Sequence, residues 1–404
     1  MLIKNGNVLT ETWQFEQLDL RITGDAIEKI APAGSMEAEC DLRQEPEFDA
    51  QGLYVVPGLV DIHIHGCAGY DFCDAREDSV RGMSRYLIKK GVTSFVAASM
   101  AYDEERLNNV FEVGRKMVES GIPGGAQLRG IHMEGPFLSK AKKGAQPEKY
   151  IIEPDIAMFD RLNSVSGGTI RLVDVAPELP RAMEFIRYAS TITTVSIAHT
   201  TADYSTAMEA FGNGATHVTH LFNAMPTFSH RYPGVAGAAS DAGADVEVIC
   251  DGIHLHPAVI RSIFKWFGDD KVILISDAMM ACGLPDGKYE LGGQAVNVFE
   301  GKVTLYDGTI AGSATDLYTC MKRAVEFGIP LESAVRAASF NPAGSAGLDQ
   351  KTGSIASGKR ADLLLLDKNL SIVQVICGGQ FEFLSDLIFL ARIPQAPDVP
   401  DLIH

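Results

Sequence analysis

Two histidines one residue apart, His63 and His65, close the run Val55-Val56-Pro57-Gly58-Leu59-Val60-Asp61-Ile62-His63-Ile64-His65-Gly66. Alternate side chains of a strand share a face, so the two imidazoles point the same way and can grip one metal ion. They can equally be two hydrogen-bonded histidines of a buried strand, because short motifs carry false positives. Further residues of suitable type follow: His132-Met133-Glu134-Gly135-Pro136, His199, His220, Asp251-Gly252-Ile253-His254 and Asp277. A histidine-rich set with a single glutamate suits zinc or another borderline divalent ion better than magnesium or calcium, which prefer oxygen ligands. An ion on Glu134, His199 and His220 leaves a position open for water and lowers that water's pKa from about 15.7 toward about 7. Asp277 has no cationic neighbour in Ser276-Asp277-Ala278. As a carboxylate it can take the water's proton and pass it to a leaving amine. The plain alternative for Asp277 is a helix cap or a structural hydrogen bond.

These residues need a scaffold that brings distant stretches together. From Pro57 onward apolar runs alternate with amphipathic ones, the pattern of βα units around a parallel sheet. Strands are expected at Leu59–His65, Ser94–Ala98, Leu128–Glu134, Ile170–Ala176, Thr194–His199, His217–His220, Val246–Cys250 and Val272–Asp277. Helices are expected at Ser79–Lys90, Glu104–Ser120, Arg181–Tyr188, Ala202–Gly212 and Pro257–Phe267. Eight strands over this length fit a closed, TIM-like (β/α)8 barrel, and such barrels carry their sites at the carboxyl ends of the strands. Each candidate named above falls at or just after such an end. Their agreement across independent strands is the signal, since any one strand-end histidine is more often a core residue.

Gln294 to Ile310, centred on Gly301-Lys302, reads as a β-hairpin insertion. Asp316–Phe327 and Leu331–Ser339 read as helices, with Asn341-Pro342 ending the second. Strand-like segments at Met1–Ile3, Leu18–Ile22 and Ala26–Ile30, with turns at Asn5-Gly6 and Gly24-Asp25, mark a β-rich start. Ala361–Asp367 marks a β-rich end. The expected organisation is therefore an α/β barrel over 55–350, plus a small β-sandwich built from 1–54 and 351–404. Phe381–Ile393 reads as a docked helix and Pro394–Pro400 as extended chain.

The 404 residues carry a formal charge of -17, which argues against nucleic acid or an anionic membrane as partner. A local arginine or histidine can still bind an anionic substrate. Seven scattered cysteines without a CxxC pair read as reduced thiols of a cytoplasmic protein. The start lacks the apolar region of a signal peptide, and no run is long enough to span a bilayer.

Together the motifs resemble the amidohydrolase superfamily and, within it, the deacetylases of N-acetyl amino-sugar phosphates. The carrying residues are Pro57–Gly66, His132–Pro136, Ala198-His199-Thr200, Thr219-His220-Leu221-Phe222-Asn223-Ala224-Met225, Asp251–His254 and Ser276-Asp277-Ala278. The ending Gly358-Lys359-Arg360-Ala361-Asp362-Leu363 is similar to the small β domain of that superfamily. The resemblance implies hydrolysis of N-acetyl-D-glucosamine 6-phosphate to glucosamine 6-phosphate and acetate. It also implies a main divalent ion, zinc first and Fe2+, Mn2+ or Co2+ as alternatives, on Glu134, His199 and His220. Asp277 is then the general base and acid. Asn223, Ala224, Ala145, Ile310, Ala311 and Gly312 match substrate contacts. His254 matches a catalytic residue and substrate contact near the reacting amide, and Asp251 a further substrate-binding position. Arg231 matches the phosphate partner, which in relatives can come from a second subunit, implying a homodimer.

This chain keeps His63 and His65 where some relatives lack the pair, so one or two ions are expected. Relatives with a carboxylated lysine bridge carry it after the fourth strand. Here Asp174-Val175-Ala176-Pro177-Glu178 has no lysine, and Glu134 would be the bridging acid. Gln146 stands where some relatives have histidine and receives no catalytic role. Bland readings stand beside several of these: a solvated charge for Arg231, a capped-loop residue for His254, structural histidines for His217 and His230. The competing functions are the galactosamine epimer, a cyclic amide, or a barrel without catalysis. The intact donor set argues against the last.

Overall fold

The computed structural model describes residues 1–36 and 46–382. The helix and extended segment expected beyond residue 382 lie outside the described residues. Eight parallel strands form one sheet: β1 Leu59–Ile64, β2 Val92–Ala98, β3 Gln127–Met133, β4 Ile170–Val175, β5 Thr194–Ile197, β6 His217–Val218, β7 Asp245–Ile249 and β8 Val272–Ile275. Neighbours in sequence are neighbours in the sheet. The sheet returns on itself through His65 N–H to Ala278 O and Asp277 N–H to His63 O, both 2.9 Å. The barrel expected from the apolar runs is therefore present, and its closing hydrogen bonds are made by candidate site residues.

Inward positions of the strands form an apolar floor of Val60, Ile62, Val96, Leu172, Ile249, Ile273 and Ile275. The outer face packs against amphipathic helices. That over Glu104–Ser120 is capped by Asp103, whose carboxylate accepts from Arg106 N–H, a cap worth about 1 kcal/mol. Besides the short helix Phe340–Ser345, the sequence pattern does not predict two helices, Ile156–Val165 and Gly234–Ala242. The latter buries Gly234 through Ala239 continuously, so no helical period of polar residues shows in its sequence.

The strands β5, β6 and β8 end two residues before the expected His199, His220 and Asp277. Those three residues adopt left-handed backbone, with φ of 42°, 31° and 46°. L residues rarely take that conformation, and it breaks the ladder. Asn341-Pro342, expected to end a helix, instead lies in the first turn of a short one, Phe340–Ser345. There the missing proline N–H has no intrahelical partner to lose.

A second eight-stranded sheet joins the two ends of the chain. Its path runs Gln380–Glu382, Ile372–Cys377, Leu363–Leu366, Tyr54–Pro57, Leu2–Leu9, Phe15–Thr23 and Ala26–Pro32, with Glu47–Asp49 also on Leu2–Leu9. Asn5-Gly6 is no turn but an irregularity within Leu2–Leu9, where Asn5 takes φ 60°. Asparagine tolerates that region, and the extra twist re-registers the strand. The expected boundary at 55 falls inside Tyr54–Pro57. That strand reaches β1 through Gly58, where an added Cβ would meet the Thr93 side chain at 2.3–2.9 Å. The expected hairpin is a three-stranded antiparallel sheet, Gly287–Leu291, Gln294–Phe299 and Lys302–Thr304. Gln294 ties it to the barrel mouth by donating to Ala145 O at 2.5 Å. Among the described residues no helix is long and apolar enough to cross a membrane.

Candidate active site

The barrel mouth holds a cavity of about 510 Å³. Its walls include His65, Glu134, Ala145, His199, His220, Asn223, Ala224, His254, Asp277, Ile310 and Gly312, eleven of the residues named from sequence. His63 lies directly beneath, fully buried. Ala311 is buried behind its neighbours and Asp251 sits under His254. Arg231 is not in this wall. It is exposed on the loop after Met225.

Glu134 is the hub. Its Oε1 lies 3.1 Å from His199 Nε2 and 3.2 Å from His220 Nε2, and the two nitrogens are 3.2 Å apart. Tetrahedral ligands at about 2.0–2.1 Å from an ion stand roughly 3.3 Å from each other, so this triangle matches one face of a zinc-like site. A second set shares the same acid. His65 Nε2 is 3.2 Å from Glu134 Oε2, and His63 Nε2 is 3.7 Å from Oε1. Asp277 Oδ1 lies between the histidine pair, 3.3 Å from His65 Nε2 and 3.6 Å from His63 Nε2. The buried His63 Nε2 has no hydrogen-bond partner among the described residues.

Electrostatics point the same way. Burial alone would raise the Glu134 carboxyl. The charge of His63 and hydrogen bonds from His199 and His220 outweigh it and hold the group well below the ordinary carboxylate range. Asp277 is likewise lowered against burial by His65, His63 and His220, so it is ionised and able to accept a proton. Burial would depress His65, yet Asp277 and Glu134 drive it up to about 10. Such a pocket calls for positive charge, which a divalent ion supplies. Among the described residues, the donor groups with metal-like spacing include both sets, Glu134–His199–His220 and His63–His65–Glu134.

Several neighbours were missed or dismissed in the sequence. Gln146 is buried, donates from Nε2 to Glu134 Oε2 at 2.7 Å, and accepts from Ala101 N–H at 2.7 Å. It orients the hub. Lys140, Lys142 and Lys143 line the rim. Three lysines within four residues of an acidic chain were the available signal. The Lys142 carbonyl takes the Nδ1 proton of His199 at 2.8 Å, turning Nε2 inward. Asp251 fixes His254 through Nδ1 at 2.7 Å. His256, without a role in sequence, caps the helix Pro257–Phe267 by accepting from Ala258 N–H. His217 stays beneath the site near Ser345, and His132 pairs with Asp174 at 2.8 Å.

The model of the amidohydrolase family matches residues 54–381. The N-acetylglucosamine-6-phosphate deacetylase of Bacillus subtilis is 38% identical over 390 residues, covering 95% of this chain and 98% of that protein. An N-acetylgalactosamine-6-phosphate deacetylase of Escherichia coli is 32% identical, covering 94% and 98%. A mutant N-acetyl-D-glucosamine-6-phosphate deacetylase of Mycobacterium smegmatis, solved in complex with N-acetyl-D-glucosamine 6-phosphate, superposes with a TM-score of 0.87 at 32% identity. That match covers 94% of this chain and 98% of the other.

Proposed function

The chain belongs to the amidohydrolase family, and on that premise we propose that it hydrolyses N-acetyl-D-glucosamine 6-phosphate to D-glucosamine 6-phosphate and acetate. The observation that carries the chemistry is Asp277 within 3.3–3.6 Å of the histidine pair, beside the Glu134–His199–His220 triangle.

Glu134, His199 and His220 would hold the main divalent ion, and His63 and His65 with Glu134 a second. Zinc is the proposed ion because imidazole nitrogens and one carboxylate suit it, with Fe2+, Mn2+ and Co2+ as alternatives. Bound there, such an ion would supply a water of lowered pKa and would polarise the amide carbonyl. Asp277 takes a proton from the attacking water at its carboxylate. As the C–N bond breaks, it returns that proton to the departing nitrogen, so acetate and a free amine leave. Asp251 holds the His254 ring by Nδ1, which leaves Nε2 for the acetamide. Ala145, Asn223, Ala224 and the Ile310–Ala311–Gly312 turn border the space for the sugar ring, and Asn223 is itself pinned to His220 O and Leu221 O at 3.2 Å.

The phosphate is assigned to Arg231, whose guanidinium matches a phosphate dianion. Because Arg231 lies outside this chain's own cavity wall, it would serve the site of a second copy, and the protein would be a homodimer. Exposed Phe228, Tyr232 and Trp266 near the same loop support that contact surface. The six described cysteines are free and buried, which supports a reducing, cytoplasmic setting. The division proposed is a barrel over 55–350 and a small domain from both ends, with the strand Tyr54–Pro57 straddling the boundary as part of the small domain's sheet.

The test is acetate release from N-acetylglucosamine 6-phosphate, with the unphosphorylated sugar as control and metal counted on the same sample. Release that needs both phosphate and metal supports the reading. Faster release from the galactosamine epimer would move the substrate to that sugar, as the Escherichia coli relative's name suggests.

A further inference from the structure

Beneath the two donor sets lies an acid that no part of the reaction uses. Glu247 interrupts the apolar strand β7, between Val246 and Val248, and is completely buried. Its Oε2 is 2.9 Å from His63 Nδ1 and accepts from His220 N–H at 3.2 Å. Its Oε1 has no hydrogen-bond partner among the described residues, and faces His217 Nε2 at 3.7 Å and His132 Nδ1 at 4.0 Å. An ionised residue in a barrel interior is costly to bury, so its partners must account for it.

The His63 contact does so. A neutral imidazole carries one proton, and an ionised carboxylate at Nδ1 holds it there. The lone pair is then on Nε2, the atom aimed between Glu134 and Asp277. The other donors are backed differently. His199 rests on a backbone carbonyl, and Nδ1 of His65 and of His220 has no partner among the described residues. Of the four histidines, His63 alone has a carboxylate behind it, and such partners raise ligand basicity as well as fix the ring.

We propose that Glu247 is the positioning residue that makes the histidine pair a second metal site, acting through His63, while the Glu134–His199–His220 set binds its ion without needing it. The inference rests on reading the mouth as a metal centre, and its test needs no sugar.

The metal-free protein is titrated with Zn2+ alone. Ions per chain are counted by plasma mass spectrometry, and the two dissociation constants are read by competition with a chromophoric chelator. E247Q keeps shape and one acceptor but loses the charge. The expected result is a second ion weakened about 10- to 100-fold, the usual effect of altering such a partner. The first ion should shift by less than about threefold. His63→Ala should weaken the second ion at least as much as E247Q does, and adding E247Q to it should weaken that ion no further. An unchanged second constant, equal weakening of both ions, or an additive double variant would each overturn the proposal.

A measurement on the wild type keeps the proposal testable should a variant fail to fold. With 15N-labelled histidine, zinc-loaded protein should show His63 protonated at Nδ1 and ligating through Nε2, and the opposite tautomer overturns it. Failure of Zn2+ to bind at all would sink the metal centre itself. Two ions indifferent to Glu247 would sink only this inference.

Discussion

At the barrel mouth His199, His220 and Asp277 take left-handed backbone, and carboxylates and imidazoles are buried within 4 Å of one another. In the sheet built from the two chain ends, Leu363–Leu366 are wholly buried and pair on both edges; Leu363 and Leu365 cluster with Leu20, Ile22, Ile27, Val55 and Ile376, while Leu364 and Leu366 join the core of the barrel. Strained residues cost on the order of 1–3 kcal/mol each. A buried leucine contributes roughly 1.5–3 kcal/mol. The mouth holds conformations that the rest of the protein stabilises. The terminal sheet supplies stability, and its described strands contain no candidate ligand. The difference predicts that the site can be altered chemically without unfolding the chain, and that the sheet can be weakened without altering the chemistry.

The largest expected effect tests the first half of that statement. Asp277→Asn should lower kcat by about 10²–10⁴, the range for losing a positioned acid–base group. Metal content and melting temperature should stay near wild type. Near-normal turnover in the metal-loaded variant would remove Asp277 from the chemistry. Leu365→Ala, in the sheet, should cost about 2–5 kcal/mol in urea unfolding. Its kcat per folded molecule should not move, and a drop would tie the sheet to the site.

Asp61 sharpens the contrast, because it is a buried carboxyl at the start of the metal strand with little to hold its charge. Burial, only partly offset by Ser276 and His63, pushes it up to about 7. A carboxyl raised on folding binds more protons folded than unfolded between the two pKa values, so stability falls as pH rises through that window. Metal-free wild type should therefore lose up to about 1.4 kcal/mol per pH unit from pH 5 to 7, relative to Asp61→Asn. Parallel curves for the two proteins would show that Asp61 does not titrate there. The smallest effect concerns Arg231→Ala, which should raise KM for the phosphorylated sugar about tenfold, as one charge-assisted contact is worth. The unphosphorylated sugar should be unaffected, and an equal rise for both would contradict phosphate pairing.

The barrel was legible because its strands are buried on both faces and read as continuous apolar runs between helical periods. The candidate donors stand out because each falls at or near the end of such a run. The left-handed exits at His199, His220 and Asp277 were not legible, since nothing local in Ala198-His199-Thr200 or Ser276-Asp277-Ala278 distinguishes them from a continuing strand. Gly234–Ala242 was missed because small residues buried all round erase amphipathic period. Gln146 was set aside for lacking an imidazole, yet an amide can donate to a carboxylate as well as a ring can. Glu247 did leave a trace, an acid at an inward position of an apolar strand, which only the opposed His63 makes interpretable.

The pairing of Tyr54–Pro57 with Leu363–Leu366 has a consequence for the protein's birth. The two strands are about 300 residues apart, and ribosomes add roughly 5–20 residues per second. One edge of Tyr54–Pro57 thus waits on the order of 15–60 s for its partner, a bare template for other chains until the last strands emerge. The small sheet that stabilises the finished enzyme is the part a cell must guard while making it.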